Sequence, residues 1–225
     1  MKTSSHTAAR AAFVALLLYA IFAPAQADTP QQDGAPACVV CHGMHGEGAT
    51  NGVPRLAGQN SDYMSHALSM FKAGTRASAI MQPIARNLTE SEILQLAGYF
   101  SKQIAPLADV STSVPPQMML PGKELAELGA ANVAACFSCH AAQGKGNGAR
   151  FPRIAGQPAQ FVIDRLHEFQ ARARGKTPEP GTMTSVAATM NDRQIEAAAA
   201  YLSQLALQER VEGNHMVPDP GVPLK

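Results

Sequence analysis

The 22 residues beginning at Cys38, "CVVCHGMHGEGATNGVPRLAGQ", return 98 positions later as "CFSCHAAQGKGNGARFPRIAGQ", beginning at Cys136. A fixed-offset repeat in a chain of 225 residues is the mark of a duplicated folding unit and predicts two small domains rather than one large one. Each copy holds Cys-x-x-Cys followed directly by histidine, at Cys38, Cys41 and His42 and again at Cys136, Cys139 and His140.

Those two units use all four cysteines of the chain. Cys-x-x-Cys alone suits a redox dithiol, half of a zinc site or a disulfide, and each of these leaves the histidine unexplained. Cys-x-x-Cys-His is the attachment pattern of haem c. Two thiols add across the vinyl groups, and a histidine placed directly after the second thiol is held under the iron. The residues therefore predict two covalently attached haem c groups, on Cys38 and Cys41 and on Cys136 and Cys139, with His42 and His140 as iron ligands.

The repeat also selects the ligand for the opposite side of each iron. Aligning "IMQPIARNLTESEILQLAGYF" with "TMTSVAATMNDRQIEAAAAYL" pairs Met81 with Met183. The same register pairs Leu88 with Met190 and Tyr99 with Tyr201, and sets Glu92 against Arg193 only with a stagger of one. Met81 and Met183 are the predicted sixth ligands, each in a loop before an amphipathic helix, and Met190 is read as a packing residue. Met44 and His45 follow His42 too closely to reach the opposite face of a ring and are read as surface or neighbouring residues. His66, His167 and His215 are isolated. Met64 and Met70 fall at helical spacing, as core residues do.

The N-terminus has a basic start, Lys2 and Arg10, then an apolar run from Ala11 to Ala23 that is short for a bilayer span, then Ala25 and Ala27 at the spacing a signal peptidase needs. Residues 1–27 are accordingly expected to be a signal peptide cleaved after Ala27, and the mature protein to lie in the bacterial periplasm with no membrane span. The formal net charge of +1 becomes −1 without Lys2 and Arg10, which makes no electrostatic case for nucleic acid or an anionic membrane.

Beyond each attachment unit runs a glycine-rich loop and then Pro-Arg-Leu/Ile-Ala-Gly-Gln, at Pro54 to Gln59 and Pro152 to Gln157. The proline is either part of a plain turn or leaves its carbonyl to accept a bond from the preceding histidine. Apolar periodicity predicts helices over 61–72 and 159–174, the first on Tyr63, Ala67, Leu68 and Phe71, the second on Phe161, Arg165, Leu166 and Phe169. Further helices are predicted over 89–103 and 192–208. "ELAELGAANVAAC" before the second unit reads as a helix, whereas Pro30, Gly34 and Pro36 oppose one in "TPQQDGAPAC". No segment alternates at strand period, so the fold class is all-α: a first domain over 28–105, a linker over 106–122 and a second domain over 123–225.

These residues resemble the two-haem class I cytochromes c of the cytochrome c4 type. The likeness covers nearly all of the expected mature chain, through the doubled Cys-x-x-Cys-His, the doubled Pro-Arg-Leu/Ile-Ala-Gly-Gln and the methionine that precedes an Ala-Gly-Tyr or Ala-Ala-Tyr helix. It implies two cytochrome c folds packed face to face. It also implies electron carriage between a membrane donor complex and a terminal oxidase or reductase. Departures are the weak first helix and Phe161 where the first half has Tyr63, a tyrosine that the resemblance implies bonds a haem propionate. Irons closed by two protein ligands leave no position for a substrate, which favours a carrier over an enzyme. An electron-transfer subunit of a dehydrogenase or flavocytochrome is the second reading, and a haem enzyme with an open iron the third.

Overall fold

Helix begins where the side chains can satisfy its first free N–H groups, and the described chain shows this repeatedly. In this computed structural model residues 35–104 and 115–213 are described, with side chains for 36–104 and 115–205. The signal-peptide reading of 1–27, residues 29–34 of the weak first helix, residues 106–114 of the linker and His215 lie outside the described residues.

The first half contains α1 (Ala35–His42), α2 (Ser61–Ala73), α3 (Met81–Arg86) and α4 (Glu90–Ser101). The second contains α5 (Met119–Leu128), α6 (Cys136–His140), α7 (Ala159–Ala173), α8 (Met183–Ala188) and α9 (Asp192–Gly213). The described residues are thus all-α, as expected. Three isolated two-residue bridges interrupt the loops, and two of them, Ala49 with Val53 and Asn147 with Phe151, are the same bridge 98 residues apart.

Asn60 starts α2 by accepting from the N–H groups of Asp62 and Tyr63. Thr89 and Glu92 form a reciprocal capping box at α4: the Thr89 N–H donates to the Glu92 carboxylate at 2.6 Å, and the Glu92 N–H to Thr89 Oγ1 at 3.2 Å. Asn191 and Gln194 do the same at α9, each bond 2.9 Å. The staggered match of Glu92 with Arg193 is therefore corrected: Gln194, in unbroken register, is its counterpart. An amide serves here as well as a carboxylate because the bond needs only an acceptor oxygen three residues into the helix.

Packing follows the predicted stripes. Met64, Leu96, Ala97 and Phe100 form the first core, with Leu88 and Tyr99 against it. Leu125, Val162, Leu166, Met190, Ile195, Tyr201 and Leu202 belong to a larger second core, so Met190 is a packing residue. Helix α5 crosses α9 so closely that a Cβ on Gly122 would lie 2.0 Å from the Ala197 carbonyl oxygen. Three features differ from expectation. Residues 119–122, read as linker, are helical, with Met119 against the second core and Gly122 buried, because Gly122 permits that crossing. The helix predicted through "ELAELGAANVAAC" stops at Leu128, because Gly129 takes φ 79° and its N–H closes onto the Leu125 carbonyl. Met81 and Met183 do not lie in loops but lead the short helices α3 and α8, the second capped by Thr182.

Two glycines that both lie within helices, Gly122 of α5 and Gly98 of α4, separate here in consequence. Gly122→Ala is expected to destabilise the protein by about 3 kcal/mol or more, since the added methyl meets backbone. Gly98→Ala, where a Cβ meets nothing within 4 Å among the described residues, is expected to stabilise it by about 0.5–1 kcal/mol. Guanidinium midpoints followed by helical circular dichroism test both; equal effects would contradict the crossing geometry.

Candidate functional site

Spacing of three along a helix sets two side chains on one face, and α1 and α6 do this for Cys38 with Cys41 and Cys136 with Cys139. The first of each pair is half-buried and the second exposed. Cys38 packs against the first core and Cys136 against the second. Burial pushes the Cys38 thiol above its ordinary value and Cys136 up to about 11. Reactive dithiols and zinc ligands act as thiolates, and burial opposes that form here. Among the described residues no three His, Cys, Asp or Glu side chains converge to hold a bare metal ion.

The two histidines are 7% and 6% exposed. His42 Nδ1 lies 2.8 Å from the Pro54 carbonyl oxygen, and His140 Nδ1 lies 2.9 Å from that of Pro152. A carbonyl only accepts, so Nδ1 carries the proton and Nε2 keeps its lone pair. Burial lowers both imidazole pKa values, and the carbonyl bond partly offsets this. The result is a neutral ring with fixed tautomer, the form in which histidine binds metals. Of the two readings of the proline, the acceptor reading is the one the structure displays.

The loop that brings each proline to its histidine is built on a repeated close approach. The N–H groups of Gly48 and Gly146 donate to the carbonyls of His42 and His140, each at 2.8 Å. A Cβ on Gly48 would meet the Arg55 nitrogen and the Val53 oxygen at 2.8 Å; on Gly146 it would meet the Arg153 nitrogen at 2.4 Å. Both have φ near +80°, at 77° and 83°. Only glycine lets the histidine-bearing turn lie flat on the proline peptide.

Cys38, Cys41 and His42 are thus assembled on α1 with Pro54, and Cys136, Cys139 and His140 on α6 with Pro152. Met183 packs against the second core, as Cys136 and Phe137 do. Met81 is half-buried at the head of α3, which packs against α2. Met44 and His45 are exposed, as are His66 and His167, and Met64 is buried in the core.

Side chains that sequence reasoning left without a role join the two halves. Arg76 is 8% exposed, stacks on Phe71 at 4.5 Å and donates to the Tyr63 hydroxyl at 3.3 Å, yet its Nε is buried with no partner. Arg165 of α7 stacks on Phe169 at 4.6 Å and pairs with Glu168. Burial and then the nearby charge of Arg76 lower the Arg165 pKa. The guanidinium of Arg165 in one half therefore feels the charge of Arg76 in the other, and Arg76 has an unused buried donor. A carboxylate-bearing macrocycle is what such a pair would complete, and with the thiol pairs and neutral histidines it makes the residues present fit haem c. Gln59 and Gln157 also bridge the halves. Their signal was visible, since the same glutamine closes both copies of a motif where a surface position would tolerate variation.

The cytochrome c family model matches residues 31–103 and 122–206. The chain is 35% identical to the thiosulfate dehydrogenase electron acceptor of Stutzerimonas stutzeri, over 78% of this chain and 82% of that protein. It is 34% identical to cytochrome c4 of Thiocapsa roseopersicina, over 80% of this chain and 95% of that one. The crystal structure of reduced recombinant cytochrome c4 from Pseudomonas stutzeri superposes with a TM-score of 0.68 at 29% identity, covering 76% of this chain and 95% of that one.

The loop geometry predicts that Gly48→Ala and Gly146→Ala each disturb one site. Haem counted per chain after periplasmic expression should fall toward one in either variant and toward zero in the double variant. Full occupancy in all three would show that the close approach is not needed.

Proposed function

The chain belongs to the cytochrome c family, with two of its domains in tandem, and on that premise we propose that it is a periplasmic shuttle between respiratory-chain partners in which each domain holds a His/Met-ligated haem c. Like its family it binds haem c covalently and transfers electrons rather than making bonds. The observation that carries the proposal is the pair of buried histidines, each directly after a Cys-x-x-Cys helix and each pinned through Nδ1 to a prolyl carbonyl.

Bound haem c supplies a one-electron iron couple. The protein's own part is positional. Cys38 with Cys41, and Cys136 with Cys139, fix the group by two bonds each. His42 and His140 present Nε2 from rings that cannot rotate while Nδ1 stays bonded. Met81 and Met183, leading α3 and α8, would each supply a thioether as the second protein ligand. A methionine paired with histidine raises the potential, which suits the oxidising end of a respiratory chain. Arg76 and Arg165 hold positive charge where the halves meet.

Lys2, Arg10, the apolar run and Ala25 with Ala27 support export with cleavage after Ala27, and among the described residues no helix is long and apolar enough to cross a membrane. We place the domains at 28–105 and 123–225. The domains meet redox proteins through small, transient interfaces, a membrane donor complex on one side and a terminal oxidase or reductase on the other. The likeness to a thiosulfate dehydrogenase electron acceptor favours a second reading, in which the donor is a dehydrogenase whose electron-accepting subunit this chain is.

The test is an optical spectrum of the periplasm-expressed protein, oxidised and reduced, with carbon monoxide then added. The expected result is two haems per chain, a methionine-to-iron charge-transfer band and no response to carbon monoxide. Met81→Ala and Met183→Ala should each remove half of that band and open one haem to carbon monoxide. A parent protein that binds carbon monoxide would break the ligand assignment. Rapid reduction by a thiosulfate-oxidising dehydrogenase, with slow reduction by a quinol-oxidising complex, would favour the subunit reading.

A further inference from the structure

The carbonyl that holds His42 and the N–H of Arg55 belong to one peptide group. In a trans peptide these point in opposite directions, and no peptide bond in the described chain is cis. On the carbonyl side His42 donates at 2.8 Å. On the opposite side the Arg55 N–H donates at 3.0 Å to Oε1 of Gln157, a residue of the other domain. The amide of Gln157 completes the pair by donating from Nε2 to the Arg55 carbonyl at 3.0 Å.

The mirror arrangement holds in the other half. The Pro152–Arg153 peptide accepts from His140 at 2.9 Å and donates at 2.8 Å to Oε1 of Gln59 in the first domain. Gln59 Nε2 donates to the Arg153 carbonyl at 2.9 Å. Gln59 is 5% exposed, Gln157 4% and Arg55 9%, so these bonds lie where water competes little and electrostatic effects are strong.

We propose that Gln59 and Gln157 are positioning residues that act across the domain contact, each tuning the histidine of the other domain through a shared peptide group. Hydrogen bonds in series polarise one another. An N–H drawn toward a glutamine oxygen leaves its carbonyl richer in electron density, and that carbonyl then pulls harder on the histidine Nδ1–H. A histidine whose Nδ1–H is pulled harder is a stronger donor through Nε2 and stabilises the oxidised iron, lowering the potential. Each domain's redox level thus depends on the other domain being docked, with no contact between the glutamine and the site it tunes. This rests on His42 and His140 being the iron ligands.

The test uses holoprotein carrying Gln157→Leu, Gln157→Glu, Gln59→Leu or Gln59→Glu. Two quantities are read for each haem separately: its midpoint potential, and the position of the histidine Nδ1–H proton resonance. Expected is a crossed pattern. Gln157→Leu raises the potential of the first-domain haem and moves the His42 proton to the position of a weaker hydrogen bond, with the second-domain haem shifted less. Gln59→Leu does the reverse. The glutamate variants, which keep the acceptor oxygen and add charge, shift the same haem in the opposite direction. Shifts confined to the substituted domain, or equal in both haems whichever glutamine is changed, as domain separation alone would produce, overturn the proposal. A parent protein without the His/Met spectrum would fail the ligand reading instead, a result distinct from uncrossed shifts in protein with that spectrum intact.

Discussion

A histidine that must offer Nε2 to a metal has to give its other nitrogen to a group that can only accept, and in both halves that group is a prolyl carbonyl. Much of the surrounding chain is arranged around this bond. Gly48 and Gly146 are glycine because the histidine-bearing turn lies on the same peptide. The carbonyls of Gly46 and Gly144 each accept two N–H groups from the segment after the proline, from Leu56 and Ala57 and from Ile154 and Ala155. Gly58 and Gly156 then donate to α4 and α9, at the Phe100 and Leu202 carbonyls. Each loop is thereby fastened to its own helical core and, through its proline peptide, to the opposite loop.

This explains how units of such modest size hold a site. A small domain buries a limited share of its apolar surface, and the first core has few large side chains, Phe100 and Met64 among them. Position is held instead by the dense bonding of one loop to the buried histidine. The Gln59 and Gln157 amides extend that bonding to the neighbouring domain, so the orientation of the two sites relative to one another is fixed by the same peptides that orient the histidines within them.

Much of this was legible in the sequence. Cys-x-x-Cys-His twice, at a constant offset, located the attachment helices, and the apolar stripes of α2 and α7 located their buried faces. What escaped was set by backbone contacts that composition does not encode. Gly122 looks like a linker residue until α9 lies against it. Gly129 looks tolerable inside "ELAELGAANVAAC" until its φ of 79° is seen. In the second half Ala141 and Gln143 adopt φ of 60° and 57°, and Ala141 stands where the first half has Gly43. Side chains hold a conformation there that glycine would adopt without strain, because the copied loop must still close onto His140. The glutamines stand in plain view within the motif, but nothing local marks their role, since their partners lie 94 and 102 residues away.

The duplication is close in loop geometry and departs from symmetry where the halves meet. Gln59 Oε1 accepts from the Arg153 N–H and also from the Asn60 N–H at 3.0 Å. The residue after Gln157 is Pro158, which has no N–H to offer. Tyr63 carries a hydroxyl bonded to Arg76 at 3.3 Å, whereas its counterpart Phe161 carries none. The first domain therefore has the extra polar group at the contact, and the second has the glutamine whose acceptor is free of that local N–H. Two identical sites would hold an electron with equal preference. The departures bear on the polar groups between the halves, so the symmetric scaffold gives its two loops inequivalent surroundings while the Cys-x-x-Cys-His pattern is the same in both.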